Sequence, residues 1–385
     1  MPRKFYSHKH NKYFSVSRSE TLTTILHQDD VVYTDILLGH PPKGWDEDID
    51  LFKFLNPNLI DDLRSDNIIL IVEYTFEGFS KFEHPIIAML EKNAISYKIN
   101  PKKIFYCSGN LKDHSDLINC VPIYTLDHPH HYGRYRREIY SGNNIDSVKN
   151  TLKEKFDGKI CLSLSRRNRY HRVLGHCMLS NSEIADHCLI SQDKVKKFNL
   201  DENTLSKIGL DHKSIKKFLK GLPLIADHDR FNKNEPFDPL FQLHRKTIFS
   251  VVNETSNDDW NESCLFFSEK ILKPIINFQP MIIWGQKNIN RNLEELGFKT
   301  YESYFDLDFD SEPDNILRYK KLLDSIIPVV KSLAEKDIEE KVNWRFKNKE
   351  LLEYNYNVFL ENYHSKKQKE IFLEKIRSVF IDKYV

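Results

Sequence analysis

Short apolar runs recur at fairly even spacing along the first 150 residues. Val31–Gly39 (VVYTDILLG), Asn67–Tyr74 (NIILIVEY), Lys102–Gly109 (KKIFYCSG) and Val121–Asp127 (VPIYTLD) read as buried strands. Continuous apolar runs of this length suit a parallel sheet covered on both faces. Between them, His84–Ser96 (HPIIAMLEKNAIS) has helical spacing. The chain turns polar over Asn143–Asp157, where a connecting helix or linker is expected. Gly158–Ser165 (GKICLSLS) is a further strand, and Arg166–Ser180 continues as a helix. Glu183–Phe241 is charged and helix-rich, with weak strand signals. Lys246–Val252 and Pro280–Gly285 are strands, and the chain from Arg318 onward is mostly helical. Ile371, Ile376, Val379 and Phe380 mark one apolar face near its end.

This alternation predicts an α/β fold. The expected organisation is an N-terminal α/β domain over residues 1–150 and a second over 151–330. Helices over 331–385 are expected to cross back to the first domain. At ~150 residues per domain the length is ample for two.

Composition narrows the function classes. Hydrophobic residues make up 40% of the chain, which excludes global disorder. Phe (25) and Tyr (18) are plentiful and can stack on bases and sugar rings. The 57 basic and 56 acidic residues nearly cancel. A general nucleic-acid binder carries a basic excess, so an anionic ligand must be met locally. Six cysteines without a CxxC pair point to a reducing compartment. The basic N-terminus lacks the apolar core of a secretory signal. No apolar run approaches the ~20 residues that span a bilayer. The expected location is cytoplasmic, with any membrane contact peripheral and at the inner face.

Two strand-to-helix units carry candidate chemistry. After the strand ending at Ser165 come Arg166, Arg167, Arg169 and Arg172. Arginine offers a planar fork of donors that fits phosphate oxygens, and Arg166 and Arg172 are the preferred pair. The second unit, Phe249–Gly285, reads strand, polar loop, helix, strand, with Glu254, Glu269 and Lys270 at its turning points. Ser268 is a plausible N-cap for a helix running to Asn277. Pro274 would interrupt that helix unless it starts later. Backbone N–H groups at such strand ends and helix starts attract anions.

These residues resemble the donor-binding motif of α-1,3-fucosyltransferases. There a Phe-Glu-Asn-Ser stretch precedes a Thr-Glu-Lys triplet. Here Asn253-Glu254-Thr255-Ser256 and Ser268-Glu269-Lys270 stand in those places. Gly297–Asp310 resembles a segment of related bacterial and viral sugar transferases. Thr255 replaces the family's Asn, and Phe266 stands where the family has Tyr. The resemblance implies a GT-B fold, two Rossmann-like domains facing a cleft, with the donor in the C-terminal half. It implies that Glu269 accepts from ribose hydroxyls and Lys270 neutralises the diphosphate. Glu254 would contact the sugar or orient the loop, and an arginine, best Arg172, would hold a phosphate. The implied co-substrate is a nucleoside-diphosphate sugar, GDP-linked in preference to UDP-linked, with no permanently bound cofactor and no obligatory metal. The acceptor would be a hydroxyl of a glycan or glycolipid, as in polysaccharide biosynthesis.

An inverting transferase also needs a base for the acceptor's proton. Glu73 and Glu77 follow a strong strand, Glu77 being favoured by its loop position. Asp127, His128 and His131 in the His-, Tyr- and Arg-rich stretch Leu126–Glu138 are alternatives. Asp227-His228-Asp229 has the Asp-x-Asp form of metal-dependent transferases, but the rest of the chain reads as metal-independent. His171, His176, Cys177, His187 and Cys188 lack a standard zinc spacing, and packed cysteines with surface histidines are expected. No GxxxxGK[ST] or GxGxxG occurs. Two other functions stay open. One is a glycan- or nucleotide-binding module without turnover. The other is a sugar transferase acting on nucleic acid, for which Arg134, Arg136 and Arg137 would be the basic stripe.

Overall fold

The computed structural model describes residues 14–15, 33–38, 47–65, 68–74, 85–122, 143–165, 168–226, 239–255, 264–268 and 270–362. The chain divides into two compact units. The first holds residues 1–132, 260–267 and 362–385, and the second holds 133–259 and 268–361. The change of unit falls at Tyr132, where the sequence pattern placed it at 150. The chain also visits the first unit briefly just before Ser268.

The first unit is built on a five-stranded sheet in the order β1-β2-β3-β4-β5. The strands are β1 (Phe14–Ser15), β2 (Tyr33–Leu38), β3 (Ile69–Tyr74), β4 (Ile104–Ser108) and β5 (Asn119–Pro122). All are parallel except β1, which runs antiparallel to β2. Helices α1 (Pro57–Arg64) and α2 (Ile86–Ser96) make the crossovers. Asn56 starts α1 by accepting from the Asn58 N–H, with Pro57 at the first helical position, where no N–H is needed. Side chains alternate along a strand, so Ile36, Leu70, Val72, Ile104 and Tyr106 share one face. They pack with Leu59 and Leu63 of α1 and Met89 and Leu90 of α2. The opposite face, with Ile69, Ile71, Phe105 and Cys107, is equally buried. That is why β3 and β4 read as unbroken apolar runs rather than alternating ones.

The second unit opens with α3 (Ile145–Lys155), capped by Asn144. It continues through β6 (Cys161–Ser165), α4 (Tyr170–Ser180), β7 (Cys188–Gln192), α5 (Glu202–Ile208) and α6 (His212–Lys220). Next come α7 (Pro239–Arg245), β8 (Phe249–Asn253), α8 (Leu272–Ile276) and β9 (Met281–Trp284). Three helices close it: α9 (Asn315–Ala334), α10 (Ile338–Arg345) and α11 (Lys349–Asn362). The four strands are all parallel, in the order β7-β6-β8-β9. β7 lies in the stretch whose strand signals were weak: Leu189 and Ile190 are only half-buried, as suits an edge strand.

The helix expected to begin at Ser268 begins instead at Leu272. The reason is Pro274. In a helix starting at Ser268 it would remove an internal hydrogen bond. In one starting at Leu272 it falls in the first turn, where N–H groups have no intrahelical partner. Ser268 therefore belongs to the loop before the helix.

The strand order sets where a ligand can sit. From β6 the chain crosses to β7 on one side, then returns past β6 to build β8 on the other. Such a reversal leaves a crevice at the carboxyl ends of the two central strands. β6 pairs with β7 along its whole length to Ser165–Gln192, but with β8 only at Cys161–Phe249 and Leu162–Ser250. Beyond Leu162 side chains rather than a backbone ladder join the two central strands.

Candidate functional site

The carboxyl ends of β6 and β8 are bridged by side chains. The Asn253 amide donates to Ser163 Oγ (2.8 Å), and Ser163 Oγ lies 2.9 Å from His176 Nε2. His176 Nδ1 donates to Gln192 Oε1 (2.9 Å), and Gln192 Nε2 donates to Asn168 Oδ1 (2.6 Å). Ser163, His176 and Gln192 are wholly buried. Burial drives the His176 pKa down to about 4, and the Arg172 charge lowers it further against the Gln192 hydrogen bond. Neutral His176 thus works as a fixed strut between strands. Asn253 Oδ1 and Ser165 Oγ are also buried, and neither has a hydrogen-bond partner among the described residues.

Directly above this strut, three cations meet the segment that leaves β8. Arg172 Nε donates to the Glu254 carbonyl (3.1 Å), and its Nη2 reaches Thr255 Oγ1 (3.3 Å). Arg169 Nη1 donates to the Thr255 carbonyl (2.6 Å). Lys270 Nζ donates to the same Thr255 Oγ1 (3.1 Å) and to Ser268 Oγ (2.7 Å). The Glu254 side chain organises the loop from inside: it accepts from the N–H groups of Thr255 (2.8 Å) and Ser268 (3.0 Å). It is fully buried, so its role is to hold two loop segments together.

His171 donates to the Glu254 carbonyl (3.1 Å) and reports the local field. Its pKa falls to about 3, chiefly through burial and further through the charges of Arg172, Arg169 and Lys270, against the hydrogen bond to Glu254. A positive potential in a low-dielectric crevice is the environment that attracts a phosphate group.

Arg172, Glu254, Thr255, Ser268 and Lys270, each chosen from the sequence, are therefore neighbours in space. Arg166 and Glu269 lie outside the described residues. Arg169 and His171 were underrated by the sequence reading. Arg169 was one arginine among four, and His171 was expected at the surface. Both His171 and His176 are buried and hydrogen-bonded, correcting that expectation. The six cysteines are all reduced thiols. Among the described residues, no three His, Cys, Asp or Glu side chains gather closely enough to hold a metal ion.

In the first unit, Glu73 lies within β3, next to its last residue, rather than after the strand, and is buried. Glu77, Asp127, His128, His131, Arg134, Arg136, Arg137 and the Asp227-His228-Asp229 triplet lie outside the described residues. One carboxyl was missed. Asp113, in the turn after β4, accepts from Ser108 Oγ and from the Asn110 amide (2.8 Å). Burial raises its pKa to about 6 against the pull of those hydrogen bonds. No local sequence signal marks it, because the shift comes from the fold around it. The same turn anchors the segment before the Ser268 triplet. The Leu111 N–H donates to the Leu265 carbonyl (2.8 Å), and the Leu265 N–H to Asn110 Oδ1 (2.9 Å).

No protein-family model and no curated protein matches the chain. Among solved structures, the N-terminal domain of Candida albicans trehalose-6-phosphate phosphatase aligns over 92% of this chain and 72% of its own, at 9% identity and TM-score 0.39. An α1,3-fucosyltransferase with GDP-fucose aligns over 86% of this chain and 79% of its own, at 9% identity and TM-score 0.32. At such scores neither likeness establishes a common fold. No helix among the described residues is long and apolar enough to cross a membrane.

Proposed function

We propose that the second unit binds the diphosphate of a sugar nucleotide, and that the protein transfers the sugar to a hydroxyl of a glycan or glycolipid. One observation carries the proposal. Arg172, following β6, and Lys270, beyond β8, both donate to the Thr255 hydroxyl at the carboxyl ends of the two central strands of a parallel sheet. The motif resemblance of Asn253–Ser256 and Ser268–Lys270 supports the same reading. The arginines and Lys270 would grip the phosphates, whose oxygens can replace the Thr255 and Ser268 hydroxyls as acceptors. The same cations would stabilise the charge that grows on the departing diphosphate, so the chemistry does not require a metal. Glu269 would hold the ribose, and Glu254 would shape the loop from beneath. The acceptor's proton would pass to a carboxylate of the first unit. Asp113 and Glu73 are described candidates, with Glu77 and Asp127 carried from the sequence. A GT-B arrangement of the two units is part of this proposal, as is a cytoplasmic site of action at the inner face of a membrane.

The test is calorimetric titration with GDP and UDP, followed by release of nucleoside diphosphate from a panel of sugar nucleotides with simple acceptors. Lys270→Ala should weaken nucleotide binding by at least about tenfold, the value of one charge-assisted hydrogen bond. Unchanged affinity would remove Lys270 from the site and end the reading. Tight binding without release for any donor would favour a module without turnover.

A further inference from the structure

The chain's charges nearly cancel overall, yet residues 173–229 hold eight lysines and no arginine. Lys194, Lys196 and Lys197 follow β7, and Lys213, Lys216, Lys217 and Lys220 belong to α6. All seven are exposed, and none makes an ion pair among the described residues. The acids beside them are engaged in the fold. Asp201 and Asp211 cap α5 and α6 by accepting from the N–H groups of Thr204 and Ser214, and Glu202 holds His212 (2.9 Å). Along α6 the lysines recur at the spacing of one helix face, while Ile215 and Phe218 are buried on the other. The apolar side of α6 therefore pins it to the unit, and the lysine side faces water. A backbone bridge joins the two lysine groups. The Gln192 N–H donates to the Leu224 carbonyl (2.7 Å) and the Leu224 N–H to the Gln192 carbonyl (3.0 Å), which ties the chain leaving β7 to the chain arriving from α6. Ile225, next along, is 43% exposed. Tyr170, 49% exposed, shares a cleft of about 470 Å³ with the three lysines after β7. Two of the five large apolar side chains exposed among the described residues thus border the lysines.

We propose that this face docks on an anionic lipid surface, with the lysines over the headgroups and Tyr170 and Ile225 entering the headgroup layer. Charge and exposure carry this without the diphosphate reading, so failure of either leaves the other standing. Lysine is a compact, strongly hydrated point charge and acts on a partner through its field. A bilayer with anionic lipids offers a smeared negative field that demands no register, and each lysine near it is worth about fivefold in affinity. A nucleic-acid groove is lined instead by arginine forks, or by several aromatic rings on which bases stack. The lysine segments have no arginine, and one exposed ring stands beside them. Tyrosine and lysine together suit the boundary between lipid and water, where each keeps an apolar body in lipid and a polar tip in water. α6 cannot insert, because its apolar residues are already covered by the fold. The contact is therefore peripheral, reversible and sensitive to salt.

The test is co-sedimentation of the full chain, without nucleotide, with phosphatidylcholine vesicles and with vesicles that also contain phosphatidylserine. Binding should require the anionic lipid. It should weaken at least about tenfold as salt rises from about 0.1 M to about 0.5 M, because screening shortens the reach of each charge. Replacing Lys213, Lys216, Lys217 and Lys220 together by Gln should cost at least about tenfold, since two lysines at the surface already supply that much. Replacing Lys194, Lys196 and Lys197 together by Gln should do the same. A control with Lys320, Lys321, Lys331 and Lys349 replaced by Gln carries the same net charge as the α6 variant but loses paired lysines elsewhere on the surface, and it should bind as the parent does. The Tm of each variant checks its folding. Tyr170→Ser combined with Ile225→Ser should weaken binding at both salt concentrations, and unaltered binding would overturn the apolar contact. Equal losses in the control and the α6 variant would show an effect of net charge and overturn the face. Equal binding to both kinds of vesicle, or to neither, would overturn it too. A DNA duplex that binds more tightly than the anionic vesicles through the same lysines would assign the face to nucleic acid and overturn the lipid.

Discussion

Acidification should unlock the second unit, and His176→Gln isolates one cause. In the folded chain His176 is held near 4, chiefly by burial, against an ordinary value of 6.5. A depressed folded pKa gives stability that is complete above 6.5 and drains away as pH falls toward 4, because only the unfolded chain takes up the proton. At about pH 5 the unfolded histidine is some 1.5 pH units below its ordinary value. At about 1.4 kcal/mol per unit this costs ~2 kcal/mol. His171 and His244 are also buried, and burial holds both near 3. The three together would remove about 6 kcal/mol by pH 5, a large part of the ~5–15 kcal/mol typical of a folded domain. Asp113 works the other way. Its raised pKa means stability present below 3.8 and lost as pH rises through about 6, returning on the order of 1 kcal/mol over the same range. Glutamine at 176 keeps a donor for Gln192 and an acceptor for Ser163 but cannot titrate. Urea unfolding followed by tryptophan fluorescence at several values between about pH 7 and pH 5 measures the slope. The variant should lose ~2 kcal/mol less than the parent across that interval, whatever its absolute stability. Parallel curves for the two would mean that His176 already binds a proton in the folded state, and the buried strut would be wrong.

Gly175→Ala should destabilise the protein, although alanine ordinarily gains up to about 1 kcal/mol over glycine in a helix. A Cβ there would sit 2.6 Å from Trp284 Cζ3 and 3.0 Å from Tyr319 Cζ, two fully buried rings, so overpacking at ~1–3 kcal/mol wins. A lowered Tm is the readout, and an unchanged or raised Tm would contradict the packing. Arg345→Met should cost about 3 kcal/mol or more in urea unfolding. Its buried guanidinium donates to the carbonyls of His244 (2.9 Å), Thr247 (2.6 Å), Asn277 and Phe278 (3.3 Å), and methionine removes all four hydrogen bonds. Asp113→Asn should abolish sugar transfer while leaving GDP affinity intact. In the parent, turnover should fall as pH drops through about 6, where the carboxylate takes its proton. Full activity in the variant would pass the role to another carboxyl.

The elements legible in the sequence were those whose burial is uniform. β3, β4, β8 and β9 are covered on both faces, so each is an unbroken apolar run bounded by polar residues. β7 was hard to see because Leu189 and Ile190 are only half-buried, and CLISQ carries no strong pattern. The start of α8 was misjudged for a local reason: the Ser268 hydroxyl does accept from the Lys270 N–H (3.4 Å), but Pro274 delays the helix to Leu272. Of the site, the residue types were legible and the partnerships were not. Nothing in the string says that Arg169 reaches a carbonyl on another strand's loop. Asp113 is an ordinary surface-type residue until the turn after β4 buries it.

The convergence of Arg172 and Lys270 has a topological cause that no local motif contains. Their segments are separated along the chain by the whole of β7 and β8. They meet because the strand order reverses at β6, which makes the residues after β6 and after β8 adjacent at the carboxyl edge. Gathering three cations around one loop, Arg172 buried and Arg169 and Lys270 partly so, opposes folding unless that loop supplies acceptors, and it does so with the carbonyls of Glu254 and Thr255 and two hydroxyls. The depressed pKa of His171 registers the positive charge of Arg172, Arg169 and Lys270 around it. An aspartate at 255 would set a negative charge among those cations and lower the potential left for a phosphate. Thr255→Asp should therefore abolish pyrophosphate binding while raising the pKa of His171, measurable by NMR titration of its ring. A variant that kept its affinity for pyrophosphate would show that the ligand's charge is met elsewhere.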